Sequence, residues 1–140
     1  MKSFKTIIES SIPEALKVLA IPEQETIQEA GIVLGMRFGP QLTEYLRSFG
    51  AIAFGTVEFN GLTEKKKNNS SIVRNTAYLR DAFPGKLSGM ALLEDRGDGA
   101  YVLCDETDRI WFFTPELSID PTDSGMDLID YTLKRHEESK

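Results

Sequence analysis

The segment from Gly39 to Leu62 constrains the fold most, because its hydrophobic period changes from helical to strand-like within one short stretch. After Pro40 the apolar side chains recur at helical spacing, at Leu42, Tyr45, Leu46 and Phe49. This spacing predicts an amphipathic helix with one face in a core, and Gly50 is its natural end.

The residues after Gly50 alternate between apolar and polar, but the alternation slips by one position. Apolar side chains occupy even positions at Ile52 and Phe54 and odd positions at Val57 and Phe59. One strand cannot keep a single face buried across such a slip, so a bulge or tight bend is predicted at Gly55. Asn60-Gly61 has the composition of a turn.

Two further helices are predicted before Pro40. The first follows from the helical spacing of Phe4, Ile7 and Ile8. The second begins near Pro22, ends at Gly35 and has one apolar face, made by Ile27, Ala30 and Leu34. Ser11 and Glu14 have the spacing of a capping box, which predicts the start of another turn.

The middle of the chain adds a loop and a short helix. Residues 63–75 are polar and locally basic, which predicts a mobile surface loop. Asn75 to Phe83 then has the pattern of a short helix with Asn75 as its N-cap. Near the C-terminus, Asp123 or Ser124 is the predicted cap of a final helix, whose buried face comprises Met126, Ile129 and Leu133.

Three strands are predicted at Met90–Leu93, Ala100–Cys104 and Ile110–Phe113, with short polar breaks between them. Sequential strands with short links are typical of an antiparallel meander. Alternation within the last strand would place Trp111 and Phe113 on one face of the sheet and Ile110 and Phe112 on the other.

These elements together predict a single α+β domain spanning residues 1–140. Helices come first, a mainly antiparallel sheet occupies the centre, and a C-terminal helix closes the chain. A chain of 140 residues is long enough to bury a core without disulfides.

The net charge of −6 arises from one segment. From Leu92 to Asp130 the chain has 11 acidic and two basic residues, a net charge of −9, whereas the rest of the chain is slightly positive. Such a field repels nucleic acid and anionic lipid and attracts basic partners. The alternative is an acidic surface that only maintains solubility.

The residue patterns of common catalytic and metal sites are missing from the sequence. His136 is the single histidine and Cys104 the single cysteine, which argues against Ser-His-Asp and Cys-His catalysis and against zinc sites. The segment "DRGDG", from Asp95, lacks oxygen ligands at the third and fifth positions that an EF-hand needs. We expect no cofactor, no metal and no enzymatic activity, with hydrolysis by paired carboxylates as a weaker alternative.

The N-terminus does not have the continuous apolar core of a signal peptide, because Glu9 and Ser10-Ser11 interrupt it. No stretch approaches the ~20 apolar residues that would span a bilayer. We therefore expect a cytoplasmic protein that does not enter a membrane.

The order of these features resembles the SUKH family of small proteins, which includes the yeast Smi and Knr cell-wall regulators. The matching segments run in family order at Ile21–Phe38, Gly39–Phe54, Val57–Leu62, Leu92–Glu106 and Gly125–Glu138. The resemblance covers most of the chain. It departs from the family at Phe38-Gly39-Pro40, where a leucine–proline pair is common.

The resemblance implies an α+β fold without catalytic machinery. Many members resemble immunity proteins, which bind and neutralise a cognate bacterial toxin, often a nuclease encoded beside them. Other members have regulatory binding roles, so the alternative function is a scaffold that binds a host protein or peptide.

A nuclease cleft holds a polyanion and is expected to be basic, so carboxylates of an immunity protein would fit it. An aromatic residue beside acidic loops is a typical interface anchor. The predicted partner-binding residues are Glu94, Asp95, Asp98, Asp105, Glu106, Asp108 and, as the anchor, Trp111.

Overall fold

The computed structural model describes residues 3–13, 21–62 and 71–140. The helices within these ranges are α1 (Phe4–Ser11), α2 (Gln24–Leu34), α3 (Pro40–Phe49), α4 (Ile72–Ala82) and α5 (Leu128–Glu138). The strands are β1 (Ala53–Phe54), β2 (Val57–Glu58), β3 (Met90–Asp95), β4 (Tyr101–Asp105), β5 (Arg109–Phe113) and β6 (Thr122–Asp127). The predicted α+β class is confirmed, with helices at both ends of the chain and antiparallel strands between them.

Local sequence signals explain most of the helix boundaries. Gly35 ends α2 in the left-handed conformation that favours glycine, with φ of 63°. Pro40 occupies the first turn of α3, where its missing N–H costs nothing, and Gly50 follows the last residue of that helix. Gly55, at φ 57°, lies in the tight turn between β1 and β2, so the predicted bend is confirmed.

Strands β3 to β6 form one four-stranded antiparallel sheet in the order β3-β4-β5-β6, and β1 and β2 pair separately as a small hairpin. Successive strands pair with their neighbours, as the meander prediction required. Strand β3 lies at the edge of this sheet, and a register shift between Leu92 and Glu94 marks an irregularity in it.

The sheet has two faces with different partners. The inner face packs against α1, α3 and α5 in the main core, to which the sheet contributes Ala91, Leu93, Val102, Cys104 and Ile110. The outer face carries Leu92, Leu103 and Phe113 and is covered by Leu79 of α4. Phe112 packs against the main core and Trp111 against the outer cluster, so the predicted alternation within β5 is confirmed.

The predicted turn at Asn60-Gly61 is wrong, because this segment runs along the outer edge of β3. The backbone N–H of Asn60 donates to the carbonyl oxygen of Leu93 at 2.7 Å, and its side-chain amide donates to Leu92 at 3.0 Å. Gly61 is needed for close packing, since a Cβ there would overlap the carbonyl oxygen of Gly50.

The cap of helix α4 lies four residues before the predicted cap at Asn75. Ser71 caps it instead by accepting a hydrogen bond from the N–H of Arg74 at 3.2 Å. The loop prediction is therefore wrong for residues 71–75, and residues 63–70 lie outside the described part of the chain. The proposed capping-box residue Glu14 also lies outside it.

The C-terminal helix begins later than the sequence pattern indicates. Asp123 and Ser124, its predicted caps, belong to β6, and Asp127 caps α5 by accepting from the N–H of Asp130 at 2.8 Å. Strand β6 was missed because its six residues are mostly polar and half-exposed or exposed, so no alternation marks it. Pairing with β5 supplies the order that its own sequence does not encode.

Candidate protein-binding site

The antiparallel sheet separates the predicted partner-binding residues into two groups. Met90 pairs with Asp105 at one end of β3 and β4, and Asp95 pairs with Tyr101 at the other. The β3–β4 turn therefore carries Asp95 and Asp98 at one end, which we call the cleft end. The β4–β5 turn, together with the junction of β6 and α5, forms the opposite acidic end, which contains Asp105, Glu106 and Asp108.

Asp108 is buried, with 2% of its surface exposed, and it caps helix α3 from a distant turn. Its two carboxylate oxygens accept hydrogen bonds from the N–H groups of Gln41 and Leu42, both at 2.9 Å. Burial raises the pKa of Asp108, although these two hydrogen bonds oppose the shift. Asp108, predicted from the sequence as a partner contact, is instead buried, because its carboxylate replaces the missing side-chain cap of α3.

This cap accounts for the glycine that precedes Pro40. A Cβ at Gly39 would overlap the carboxylate of Asp108. The glycine therefore leaves the space through which the carboxylate reaches the start of α3. Asp108 itself has φ of 65°, a conformation that aspartate tolerates better than most residues.

Other carboxylates at the acidic end also accept backbone hydrogen bonds. Glu106 accepts from the N–H of Arg37 at 2.7 Å, which holds the start of the α2–α3 connection. Asp127 accepts from the side chain of Gln41 at 3.0 Å while it caps α5. The carbonyl oxygen of the same Gln41 side chain accepts from Ile129 at 3.0 Å, so α3 and α5 are joined here.

Asp105 organises the β4–β5 turn and fixes the indole of Trp111. One carboxylate oxygen accepts from Thr107 and from the N–H of Arg109, and the other accepts from Nε1 of Trp111 at 2.9 Å. Burial raises the pKa of Asp105, but these hydrogen bonds outweigh that effect and lower the pKa from its ordinary value. Asp105 is therefore a charged acceptor that holds a half-exposed tryptophan on the outer face.

The acidic end contains three carboxylates that were not among the predicted partner-binding residues, namely Asp123, Asp127 and Asp130. Asp123 forms an exposed ion pair with Arg109, with both oxygens within 2.9 Å of the guanidinium Nε. Partial burial and then the neighbouring Asp127 raise the pKa of Asp130. Their only sequence signal was membership of the −9 segment, since their common position depends on the pairing of β5 and β6.

At the cleft end, Asp95 and Asp98 are exposed and each closes part of the turn. Asp95 accepts from the N–H of Gly97 at 2.8 Å, and Asp98 accepts from Ala100 at 3.3 Å. Asp95 also lines a cleft of about 580 Å³ bounded by α4, β3, β4, the β1–β2 hairpin and the end of α5. Asp98 is not among the residues that line it.

Glu94 lies beneath this cleft and is buried, with 2% of its surface exposed. Its carboxylate forms an ion pair with Arg135 at 3.0 Å and accepts a hydrogen bond from the hydroxyl of Tyr131. Burial and then the Glu94 carboxylate raise the pKa of Tyr131. Glu94, predicted from the sequence as a partner contact, is instead buried, and its charge is compensated within the protein.

A second, shallower groove of about 920 Å³ lies between α2 and the start of α3. Ile27, Met36 and Phe38 line it, and Glu106 lies at its edge. Ile32 and Val33, on the outer side of α2, are also highly exposed. This groove brings an apolar helix face close to the acidic end.

No group of three or more His, Cys, Asp or Glu residues among residues 3–13, 21–62 and 71–140 has the arrangement of a metal site. Burial raises the pKa of the Cys104 thiol well above its ordinary value. His136 lies in the last turn of α5 and is buried against Phe54, with the two ring centroids 5.6 Å apart.

None of the helices described here combines the length and the apolar character needed to cross a bilayer. A scan against family models and a search of curated proteins found no match for the chain.

Among solved structures, the chain is similar to a crystal structure of a protein from Pseudomonas syringae pv. tomato, with a TM-score of 0.66 and 17% sequence identity. The match covers 84% of this chain and 86% of that chain. At this level of identity the likeness establishes a shared fold, and a shared fold does not specify a ligand or partner.

Proposed function

We propose that this protein is a cytoplasmic, SUKH-like immunity protein that binds a cognate bacterial toxin and neutralises it without catalysis. The observation that carries the proposal is the acidic end, where carboxylates from two strands, one turn and the start of α5 lie together. Those at its surface are Asp105, Glu106, Asp123, Asp127 and Asp130, and Arg109 is their paired cation. The fold-level likeness is compatible with this function but does not by itself support it.

A toxin that degrades nucleic acid is the partner that this surface fits best. Such an enzyme needs a basic cleft to hold its polyanionic substrate. A complementary acidic surface would increase the association rate and occupy the cleft. Because Asp105, Glu106 and Asp127 are already fixed by hydrogen bonds, they would lose little conformational entropy on binding.

Trp111 supplies the apolar contact that charge alone does not give. It is half-exposed on the outer face, and the hydrogen bond to Asp105 fixes its ring before any partner arrives. Fixed aromatic side chains are typical of the residues that dominate binding energy. In the proposed complex, Trp111 is the anchor and the neighbouring carboxylates guide association.

The predicted partner-binding set is narrowed by burial. Glu94 and Asp108 support the fold from the interior and are not available as direct contacts. Asp105, Glu106 and Trp111 stay as predicted contacts at the acidic end and on the outer face beside it. Asp95 and Asp98 stay as predicted contacts at the cleft end.

Co-expression with the toxin encoded by the adjacent gene tests this function directly. We expect the wild-type protein to abolish toxicity and to co-purify with the toxin. Persistent toxicity with no detectable complex would contradict the proposal. A stable complex with a host protein in cells that lack the toxin would instead support the regulatory scaffold.

A charge-matched pair of variants then tests which surface guides association. One triple variant carries Glu106→Gln, Asp123→Asn and Asp130→Asn, and the control carries Asp81→Asn, Glu116→Gln and Asp120→Asn, three exposed positions outside the predicted contacts. Both remove three negative charges, but only the first removes them from the acidic end. We expect the first to lower the association rate at low salt about tenfold and the control to change it less, with the difference decreasing at high salt.

A further inference from the structure

The cleft at the cleft end combines two aromatic rings, one exposed and one half-buried, with a carboxylate. Tyr78 projects from α4 with 78% of its surface exposed, and Tyr101 comes from β4. Asp95 borders the same cleft from the end of β3. Tyr78, Asp95 and Tyr101 all line this cleft. Burial and then the charges of Asp95 and Tyr78 raise the pKa of Tyr101.

The floor of the cleft is already neutralised. Arg135 pairs with Glu94 at 3.0 Å, and its Nε lies 3.0 and 3.2 Å from the two oxygens of that carboxylate. Because this guanidinium is committed to Glu94, it offers little to an incoming anion. The pair also gives a rigid base on which the walls of the cleft are built.

Asp95 is oriented by its own turn. One oxygen accepts from the N–H of Gly97 at 2.8 Å, and within the described residues the other accepts no hydrogen bond. Glu58 and Arg96 are the other charged residues in the lining, beside the Glu94–Arg135 pair. The open oxygen of Asp95 gives a cation that enters the cleft a specific acceptor.

We propose that this cleft binds an arginine side chain of a basic protein partner. The guanidinium stacks on the rings of Tyr78 and Tyr101 and donates a hydrogen bond to the open oxygen of Asp95. Arginine fits better than lysine because its planar, weakly hydrated group stacks on aromatic faces and presents several donors at once. This inference rests on the proposed function in taking the partner to be a basic protein, and it specifies the side chain recognised.

Arginine amide provides a probe that needs no toxin. All three probes keep the same α-amino group and differ in the side chain. Citrulline amide has a side chain of nearly the same shape without its positive charge, and lysine amide has a side-chain charge without the planar group. In an NMR titration of the full chain, we expect arginine amide to shift the backbone resonances of Tyr78, Asp95 and Tyr101 and to saturate in the millimolar range. Lysine amide should bind several-fold more weakly, and citrulline amide should produce no saturable shift.

Two variants and one matched control locate the binding. Asp95→Asn removes the charged acceptor and Tyr78→Ala removes one ring, and each should weaken arginine amide at least fivefold. Asp98→Asn removes the same charge from the same turn but outside the cleft, so it should leave the affinity unchanged. Unaltered amide spectra elsewhere in each variant would show that the fold is intact.

Three results would overturn the inference. The first is equal binding of citrulline amide, and the second is equal weakening by Asp98→Asn, which would indicate a non-specific charge effect. The third is saturable binding of N-acetylglutamate at Arg96 and Arg135 in place of arginine amide. If the toxin complex forms while arginine amide does not bind, this inference fails alone. If arginine amide binds while no toxin complex forms, the proposed function fails alone.

Discussion

Carboxylates lie at both ends of the sheet, but they have different roles at the two ends. At the acidic end, Asp105, Glu106, Asp108 and Asp127 each accept at least one backbone hydrogen bond from a residue outside their own strand. At the cleft end, Asp95 and Asp98 close only their own turn, and the one buried carboxylate, Glu94, is paired with Arg135.

This difference teaches that a count of negative charges does not locate a binding site. The acidic end is negative, but several of its carboxylate oxygens already accept hydrogen bonds that cap α3 and α5 and hold Trp111. The cleft end has fewer acidic residues but has a concave surface and an acceptor with one oxygen open. The first arrangement suits long-range attraction, and the second suits recognition of one side chain.

The largest effect is expected where a charge is buried with one partner. Arg135→Met would leave the Glu94 carboxylate buried without its cation, and we expect the free energy of unfolding to fall by about 3 kcal/mol. Urea denaturation measures this change. Arg96→Met, at an exposed position of the same cleft, should change it by less than about 0.5 kcal/mol. Similar losses in both variants would mean that the buried Glu94–Arg135 pair stabilises the fold no more than an exposed charge does.

A smaller loss is expected when the cap of α3 is removed at the acidic end. Asp108→Ala deletes both acceptors and places alanine at a positive φ, so we expect a loss of about 2 kcal/mol. Asp108→Asn keeps one acceptor and tolerates the backbone conformation, so about half that loss is expected. Thermal unfolding of the two variants tests the order, and a greater loss for asparagine would contradict the capping role.

Asp105 makes the acidic end sensitive to pH in a defined direction. Its folded pKa is lowered, so it stabilises the protein above the ordinary aspartate range, and this contribution disappears as pH falls from about 4 through the folded pKa. Asp105→Asn should cost about 1 kcal/mol at pH 7 and progressively less below pH 4. Denaturation as a function of pH measures the difference between the two proteins.

The single tryptophan reports on the same carboxylate. Because Trp111 donates to Asp105, its fluorescence in the folded protein should titrate with a midpoint below the ordinary aspartate pKa. Asp98→Asn, at the other end of the sheet, should leave this titration unchanged. A midpoint above pH 4, or a titration that persists in Asp105→Asn, would refute the assignment.

The smallest effect is expected at the turn of the cleft end. Asp95→Asn and Asp98→Asn each keep an oxygen that can accept the turn hydrogen bond, so stability should change by less than about 0.5 kcal/mol. Thermal unfolding under the conditions used for Asp108 measures both. A loss above about 1 kcal/mol in either variant would mean that these carboxylates also hold the fold, and the contrast between the ends would disappear.

Much of the fold was predictable because its signals are local. The stripe of α3 from Leu42 to Phe49, the bend at Gly55 and the alternation within β5 all follow from neighbouring residues. Strand β6 was not predictable, because its polar residues take their order from β5. The start of α4 was missed because Ser71 follows a polar segment in which no residue stands out as a cap.

The candidate site was predictable only in outline. Acidic composition identified the segment, and Trp111 was correctly placed on the face of the sheet opposite Phe112. The cleft was not foreseen, because Tyr78, Asp95 and Arg135 come from three elements far apart in the chain. Nor did composition distinguish Glu94 and Asp108, which are buried, from their exposed neighbours.

The sequence by itself determined most of the helices and strands, though not β6, because hydrophobic period, glycine and proline act over a few residues. Only the tertiary structure decided what each carboxylate does, because antiparallel pairing sends successive turns of the sheet to opposite ends. Asp108 shows the reason most directly, since its carboxylate accepts a hydrogen bond from the N–H of Leu42, which lies 66 positions away in the chain. A contact over that distance is made by the fold, and no local pattern records it.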